Sequence, residues 1–423
     1  MTHTIDRRRF LQLLGTTGLA VHAAGALHPQ AAWAGEGFQG PYVLTIHAGG
    51  GWDPTLLCDP KGLKSDTQSD PVNKSYYTDE IEQVGPFSFA PLNGHSAFFE
   101  RVRDQLLVIN GIDCQTNSHE TGTIHTWSGT MDAGAPAFSA LHAALLDPRP
   151  SISFLSNGDY DATAGLVPPT RIPDVGAIQE LAYPNRLVTS DPTRLLHTTE
   201  TMDRIEQARR ARLERQLAAS TLPRWSRALE QLRAARSGDN ELAALTAFLP
   251  ESLDTTSALR SQAQVAMACF KAGVSASATM STGGFDTHGN HDVSHTTAMT
   301  TLIDGVMFAL DEAERQGIAD KVIFLIGSDF SRTPWYNDTN GKDHWSISSM
   351  MMMGPGITGG RVIGATDDVQ VPLTVDPTSL ALDENGIRIT PGHIHAALRE
   401  LVGIAGDPRL APWDVGTSLP FFT

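Results

Sequence analysis

Val322-Ile323-Phe324-Leu325-Ile326 is an unbroken apolar run that stops at Gly327-Ser328-Asp329. So short a run, rich in β-branched and aromatic residues and lacking polar alternation, reads as a strand buried on both faces. Two other stretches share its form. Tyr42-Val43-Leu44-Thr45-Ile46 runs into Gly49-Gly50-Gly51, and Leu106-Leu107-Val108-Ile109 runs into Asn110-Gly111. Helical patterns lie between them. Thr296 to Gln316 sets Met299, Leu302, Val306, Met307, Leu310 and Ala313 at three- and four-residue intervals, and Ser257 to Ala272 repeats this through Leu259, Ala263, Val265, Ala266 and Cys269. Doubly buried strands alternating with amphipathic helices predict an α/β protein with a mostly parallel central sheet flanked by helices.

The 423 residues are 41% hydrophobic and 18% charged, enough to build a sizeable core and unlike a disordered or fibrous chain. Acidic residues outnumber basic ones 47 to 31, for a formal charge of −16. That field repels polyanions and argues against nucleic acid as a partner. Three cysteines, Cys58, Cys114 and Cys269, cannot make a disulfide framework, a cysteine-based zinc site or an iron–sulfur cluster. Any metal therefore falls to His, Asp, Glu or hydroxyl ligands, and at most Cys58 and Cys114 could pair in an oxidising compartment.

The N-terminal segment stands apart. Arg7-Arg8-Arg9-Phe10-Leu11-Gln12 precedes a mildly apolar stretch, Leu13 to Leu27, and then Ala32-Trp33-Ala34. This is similar to a twin-arginine export signal over residues 1–34, the alternative being an amphipathic helix that stays attached. The stretch is too short and too rich in Gly, Thr and His to span a bilayer. Cleavage after Ala34 would remove three arginines and Asp6, leaving 389 residues at −18. The resemblance implies passage through the twin-arginine machinery to a periplasmic or secreted location. Residues 35–423 then form one domain, interrupted at about 197–250 by an inserted helical hairpin. Thr201 to Ala219 is its first helix, and a second follows Pro223 through Trp225, Leu229 and Leu232. Its charges read as a solvated face or as a lid or partner surface.

Four clusters carry the residues capable of chemistry, most of them where strands end, the place where open α/β sheets bind ligands. They are Gly49-Gly50-Gly51-Trp52-Asp53; Thr116-Asn117-Ser118-His119-Glu120-Thr121; Gly283-Gly284-Phe285-Asp286-Thr287-His288; and Ser328-Asp329-Phe330-Ser331-Arg332-Thr333, followed by Asp343-His344-Trp345. Taken singly, each Asp, His or Ser is more often a cap or hydrogen-bonding group than a ligand or nucleophile. Asp286 and His288, two apart in extended chain, project to one side and could grip one ion together. Oxygen ligands mixed with imidazole suit zinc, with manganese, iron, calcium or magnesium as alternatives.

Gly284-Phe285-Asp286-Thr287-His288, Ser328-Asp329-Phe330-Ser331-Arg332-Thr333-Pro334 and Gly341-Lys342-Asp343-His344-Trp345, with the twin-arginine start, resemble the exported domain-of-unknown-function family numbered 1501. That family is grouped with the alkaline phosphatase and sulfatase superfamily, whose fold the resemblance implies over Gly49 to about Gly403. It also implies a Ser or Thr nucleophile beside one or two divalent ions, and a phosphate or sulfate ester substrate, small or polymer-borne. Carried over residue by residue, the metal ligands would be Asp53, Asp286, His288, Asp329, His344 and, beside it, Asp343. Ser118 would be the nucleophile, with Thr121 second. Arg332 would clamp an oxyanion or pair with Asp338 or Asp343. The sulfatase maturation motif is absent around Cys58 and Cys114, which argues against formylglycine chemistry. Phe330 stands where phosphatases carry a His after the late Asp, so either one metal site lacks an imidazole and binds more weakly or His344 takes that place, with His393 and His395 in reserve. A non-catalytic exported protein that keeps the fold to bind a partner is the competing expectation.

Overall fold

A computed structural model describes residues 37–423 apart from 148, 173, 189–190, 223–224, 227–228 and 230–238. The export-signal reading of residues 1–34 lies outside the described residues. The three apolar runs are strands: Tyr42–Ala48, Leu107–Asp113 and Val322–Ser328. They belong to an eight-stranded sheet whose order is Arg361–Ile363, Leu107–Asp113, Ile347–Met353, Val322–Ser328, Tyr42–Ala48, Ser277–Thr282, Phe154–Leu155 and Pro169–Thr170. Only Ile347–Met353 runs against its neighbours, and every other pairing is parallel. The expected mostly parallel sheet flanked by helices is what forms.

Side-chain alternation explains why the central strands are apolar throughout. Val322, Phe324 and Ile326 face one core with Leu259, Phe270, Leu302 and Val306 from two long helices. Ile323 and Leu325 face the other core, with Leu107, Ile109, Phe138 and Leu398. Fully burying each such side chain contributes about 1.5–3 kcal/mol, so the two cores fix the strand in place.

Helix limits follow local chemistry. Ala258–Lys271 starts where the Ser257 side chain accepts from the Arg260 amide. The helix expected from Thr296 begins earlier and spans His291–Arg315, launched by Asn290 at φ 49°. His291 and His295 are thus one turn apart on a helix and fully buried. In the hairpin region a helix spans Thr199–Ala218. Trp225, Ser226 and Leu229 of the expected second helix are helical, and most of its remainder lies outside the described residues. Cys58 and Cys114 are buried free thiols, so the weighed pairing is not formed. Among the described residues, no helix is long and apolar enough to cross a membrane.

Register positions the site. Ala48 pairs with both Ser328 and Thr282, so three parallel strands end level and release the segments bearing Asp53, Asp286 and Asp329 side by side. A two-stranded ribbon, Ser331–Arg332 with His344–Trp345, sets His344 opposite Arg332.

Candidate metal centre

Asp286 and His288 follow the Ser277–Thr282 strand, His344 lies in the ribbon after Val322–Ser328, and His119 opens the His119–Ser128 helix. Gly122 lets that helix press onto the late strand end, since a Cβ there would stand 2.5 Å from the Asp329 carbonyl oxygen. Gly341 is equally required, because a Cβ would stand 1.9 Å from the His288 carbonyl carbon.

These contacts bring three imidazoles onto one carboxylate oxygen. Asp286 Oδ1 lies 3.1 Å from His288 Nε2, 3.4 Å from His119 Nε2 and 3.4 Å from His344 Nε2, and His288 Nε2 in turn lies 3.0 Å from His344 Nε2. One ligand atom each from His119, Asp286 and His344 falls within 4.8 Å of the others, and His288 adds a fourth donor. For metal–ligand bonds of 2.0–2.1 Å, a tetrahedron has edges of about 3.3 Å, and the four contacts made by Asp286 and His344, at 3.0–3.4 Å, are of that length.

The other ring nitrogens assign the tautomers. His288 Nδ1 lies 2.7 Å from Asp343 Oδ1, His344 Nδ1 lies 2.7 Å from the Asn117 carbonyl oxygen, and His119 Nδ1 meets Asp329 Oδ2. Each of these partners only accepts, so every Nδ1 donates and every Nε2 presents a lone pair to the centre. His119 Nε2 is buried there without a hydrogen-bond partner. An orphaned acceptor beside two facing lone pairs and a carboxylate is a donor set that fits a divalent cation.

The carboxylates are held ionised. Burial pushes Asp329 up, but its hydrogen bond with His119 is the leading effect that brings it below the ordinary carboxylate range. Its Oδ1 also accepts from Gly50 N at 3.1 Å, from Gly51 N at 2.5 Å and from Ser328 Oγ at 2.8 Å. Asp286 is likewise raised by burial and more than offset by Arg332. Asp343 is lowered by its hydrogen bond to His288. The bond to Asp329 raises His119 despite burial.

The structure therefore sorts the expected residues. Asp286, His288 and His344 converge. Asp329 and Asp343 stand behind them, each orienting a histidine. His119 received no role from the sequence beyond its place beside Ser118, although a His opening a helix after a strand was the available signal. Asp53 is elsewhere: fully buried, its Oδ1 accepts from Thr55 N at 2.9 Å and Thr55 Oγ1 at 2.6 Å, and its Oδ2 from Lys342 Nζ at 2.5 Å and His291 Nε2 at 3.1 Å. A lysine ammonium thus neutralises Asp53, against the expectation of a metal ligand. Arg332 is fully buried and turned inward, donating from Nε to Gly51 O at 3.0 Å, from Nη1 to Lys342 O at 3.1 Å, and from Nη2 to Gly50 O and to Asp286 Oδ1 at 2.6 Å. Its carboxylate partner is Asp286, where the sequence suggested Asp338, Asp343 or an oxyanion. Ser118 is the exposed N-cap residue of the His119–Ser128 helix, but its hydroxyl does not cap it; Thr121 is half-buried in the first turn. His393 caps the Pro391–Leu401 helix and His395 Nε2 donates to Thr126 O at 2.8 Å, so both reserve ligands are structural.

A family model described as "Protein of unknown function (DUF1501)" matches residues 41–382, most of the chain. The chain belongs to the DUF1501 family. The DUF1501 match contains every residue of the centre, from His119 to His344. Among solved structures, this DUF1501 member is similar to alkaline phosphatase from the Antarctic bacterium TAB5, at 11% identity and a TM-score of 0.31, covering 75% of this chain and 92% of that one. It is also similar to a 2-O GAG sulfatase, at 11% identity and a TM-score of 0.34, covering 91% and 76%. A third is Ps i-CgsB in complex with k-i-k-neocarrahexaose, at 8% identity and a TM-score of 0.37, covering 90% and 76%. No curated protein matches this DUF1501 chain in sequence.

Proposed function

We propose that the chain is an exported, metal-dependent hydrolase of phosphate or sulfate esters, with residues 1–34 as its twin-arginine signal and the periplasm as its working compartment. The observation that carries this reading is the convergence of His119, His288 and His344 Nε2 on Asp286 Oδ1, with every Nδ1 already donated elsewhere. These four residues would hold one divalent ion, and three imidazoles favour zinc over calcium or magnesium. Bound there, the ion supplies Lewis-acid polarisation and offsets the acidic field that would repel an anionic ester.

The chain's own groups do the rest. Asp329 and Asp343 keep their histidines in the ligating tautomer. Arg332 holds the Asp286 carboxylate in place. Ser118, exposed at a helix N-terminus next to His119, is the assigned attacking hydroxyl, and the helix dipole there favours the negative charge that attack develops.

Metal analysis of protein purified from the periplasm, with activity on aryl phosphate and aryl sulfate panels, tests this reading. About one ion per chain is expected, with ester cleavage lost in Asp286→Ala. Less than that in wild type, with Asp286→Ala changing nothing, would overturn it.

One observation favours the competing reading of a non-catalytic binding protein: Arg332, the expected anion clamp, is spent on Gly50, Gly51, Lys342 and Asp286. A metal-loaded chain inert on both panels would decide for it.

A further inference from the structure

Ligating and non-ligating residues interleave along the site's two main segments. Thr287 lies between Asp286 and His288, and Lys342 immediately precedes Asp343-His344. Both are buried, Lys342 completely, and both turn away from the metal centre into a second polar layer. Thr287 Oγ1 stands 2.7 Å from His291 Nδ1 and 3.0 Å from His295 Nδ1. His295 Nε2 accepts from the Asp53 amide at 2.8 Å, so its Nδ1 donates to Thr287. Thr287 then donates to His291 Nδ1, and His291 donates from Nε2 to Asp53 Oδ2 at 3.1 Å. Lys342 Nζ closes the chain on the same oxygen at 2.5 Å. The direction of every bond is fixed, and all four acceptor positions of Asp53 are filled. The two ligand segments are also joined directly, by Lys342 N donating to Thr287 O at 3.0 Å.

We infer that Thr287, Asp53 and Lys342 are positioning residues that set the spacing between the Asp286/His288 and Asp343/His344 ligand segments. A fully buried ion pair is weak grounds for stability, because apolar replacements of similar volume are often neutral or stabilising. What this one does is tie two segments distant in sequence at the residues between their ligands. Metal affinity depends on ligand placement within about 0.5 Å, a precision supplied by the groups behind the ligands. The inference rests on the metal reading above.

Its test is zinc affinity by chelator competition, and the visible absorption of the cobalt-loaded protein, in wild type, Thr287→Val and the double variant Asp53→Asn/Lys342→Met. Leu259→Ala, a core change outside the polar layer, serves as the control for lost stability. The expected result is zinc affinity lowered about 10–100-fold in Thr287→Val, with altered cobalt bands, while Leu259→Ala keeps wild-type affinity and bands. If the double variant does not fold, Thr287→Val carries the test. Wild-type affinity and bands in Thr287→Val, or an equal loss in Leu259→Ala, would overturn the inference. A wild-type chain that takes up neither ion overturns the metal reading itself, and that is read from wild type alone.

Discussion

The Nε2 atoms of His288 and His344 face each other at 3.0 Å although both rings have already committed their Nδ1 protons, one to Asp343 and one to the Asn117 carbonyl. Two lone pairs at that distance repel unless a cation lies between them, which makes the pair a direct consequence of the second layer. Removing Asp343 frees the His288 ring to turn and change tautomer. Asp343→Ala is expected to lower zinc affinity about 10–100-fold, measured by chelator competition.

Because a formed site binds the ion in the folded state, zinc stabilises folding by mass action. At free zinc 100 times Kd, the gain is about 2.7 kcal/mol, seen as a higher Tm than in chelator-treated protein. The gain shrinks as pH falls, since ligating imidazoles must shed protons to bind. His344→Ala should unfold at the same temperature with and without zinc.

Ser118 and Thr121 divide the nucleophile assignment. Ser118→Ala is expected to lower kcat on an active aryl ester by at least about a hundredfold, within the span of nucleophile and acid–base contributions, while leaving zinc content at wild-type level. Thr121→Val should retain activity. The reverse pattern would move the role to Thr121.

Three histidines outside the centre make the fold acid-sensitive. Burial pushes His95 and His142 down to about 4 and His395 down to about 3, from an ordinary 6.5. Above pH 6.5 neither folded nor unfolded chain protonates them, and stability is unaffected. Between pH 6.5 and 4 the unfolded chain takes up protons the folded chain refuses, costing up to about 1.4 kcal/mol per pH unit for each histidine. Denaturant unfolding of chelator-treated protein should show the falling slope over that range, flattened by His142→Phe, which is buried beside Phe38.

Apolar continuity made Tyr42–Ala48 and Val322–Ser328 legible, because doubly buried strands tolerate little else. Ser277–Thr282 was not legible, since its buried hydroxyls are satisfied by partners distant in sequence, such as Ser139 O, which accepts from Ser277 Oγ at 2.6 Å across 138 residues. Ile347–Met353 escaped notice too, its Ser and Met residues giving no strand signature. At the site, Asp286 and His288 could be read from their alternate spacing after a Gly-Gly pair, and His344 from the family resemblance. His119 could not be assigned, because its partner Asp329 lies 210 residues away. Asp53 was misread for the same reason: the lysine that neutralises it is 289 residues distant.

The most direct test of the four-ligand centre is zinc K-edge X-ray absorption on the loaded protein. Three imidazole nitrogens and one carboxylate oxygen are expected at about 2.0–2.1 Å, with the imidazole scattering reduced by one ring in His119→Ala. A first shell lacking imidazole, or one unchanged by His119→Ala, would contradict it.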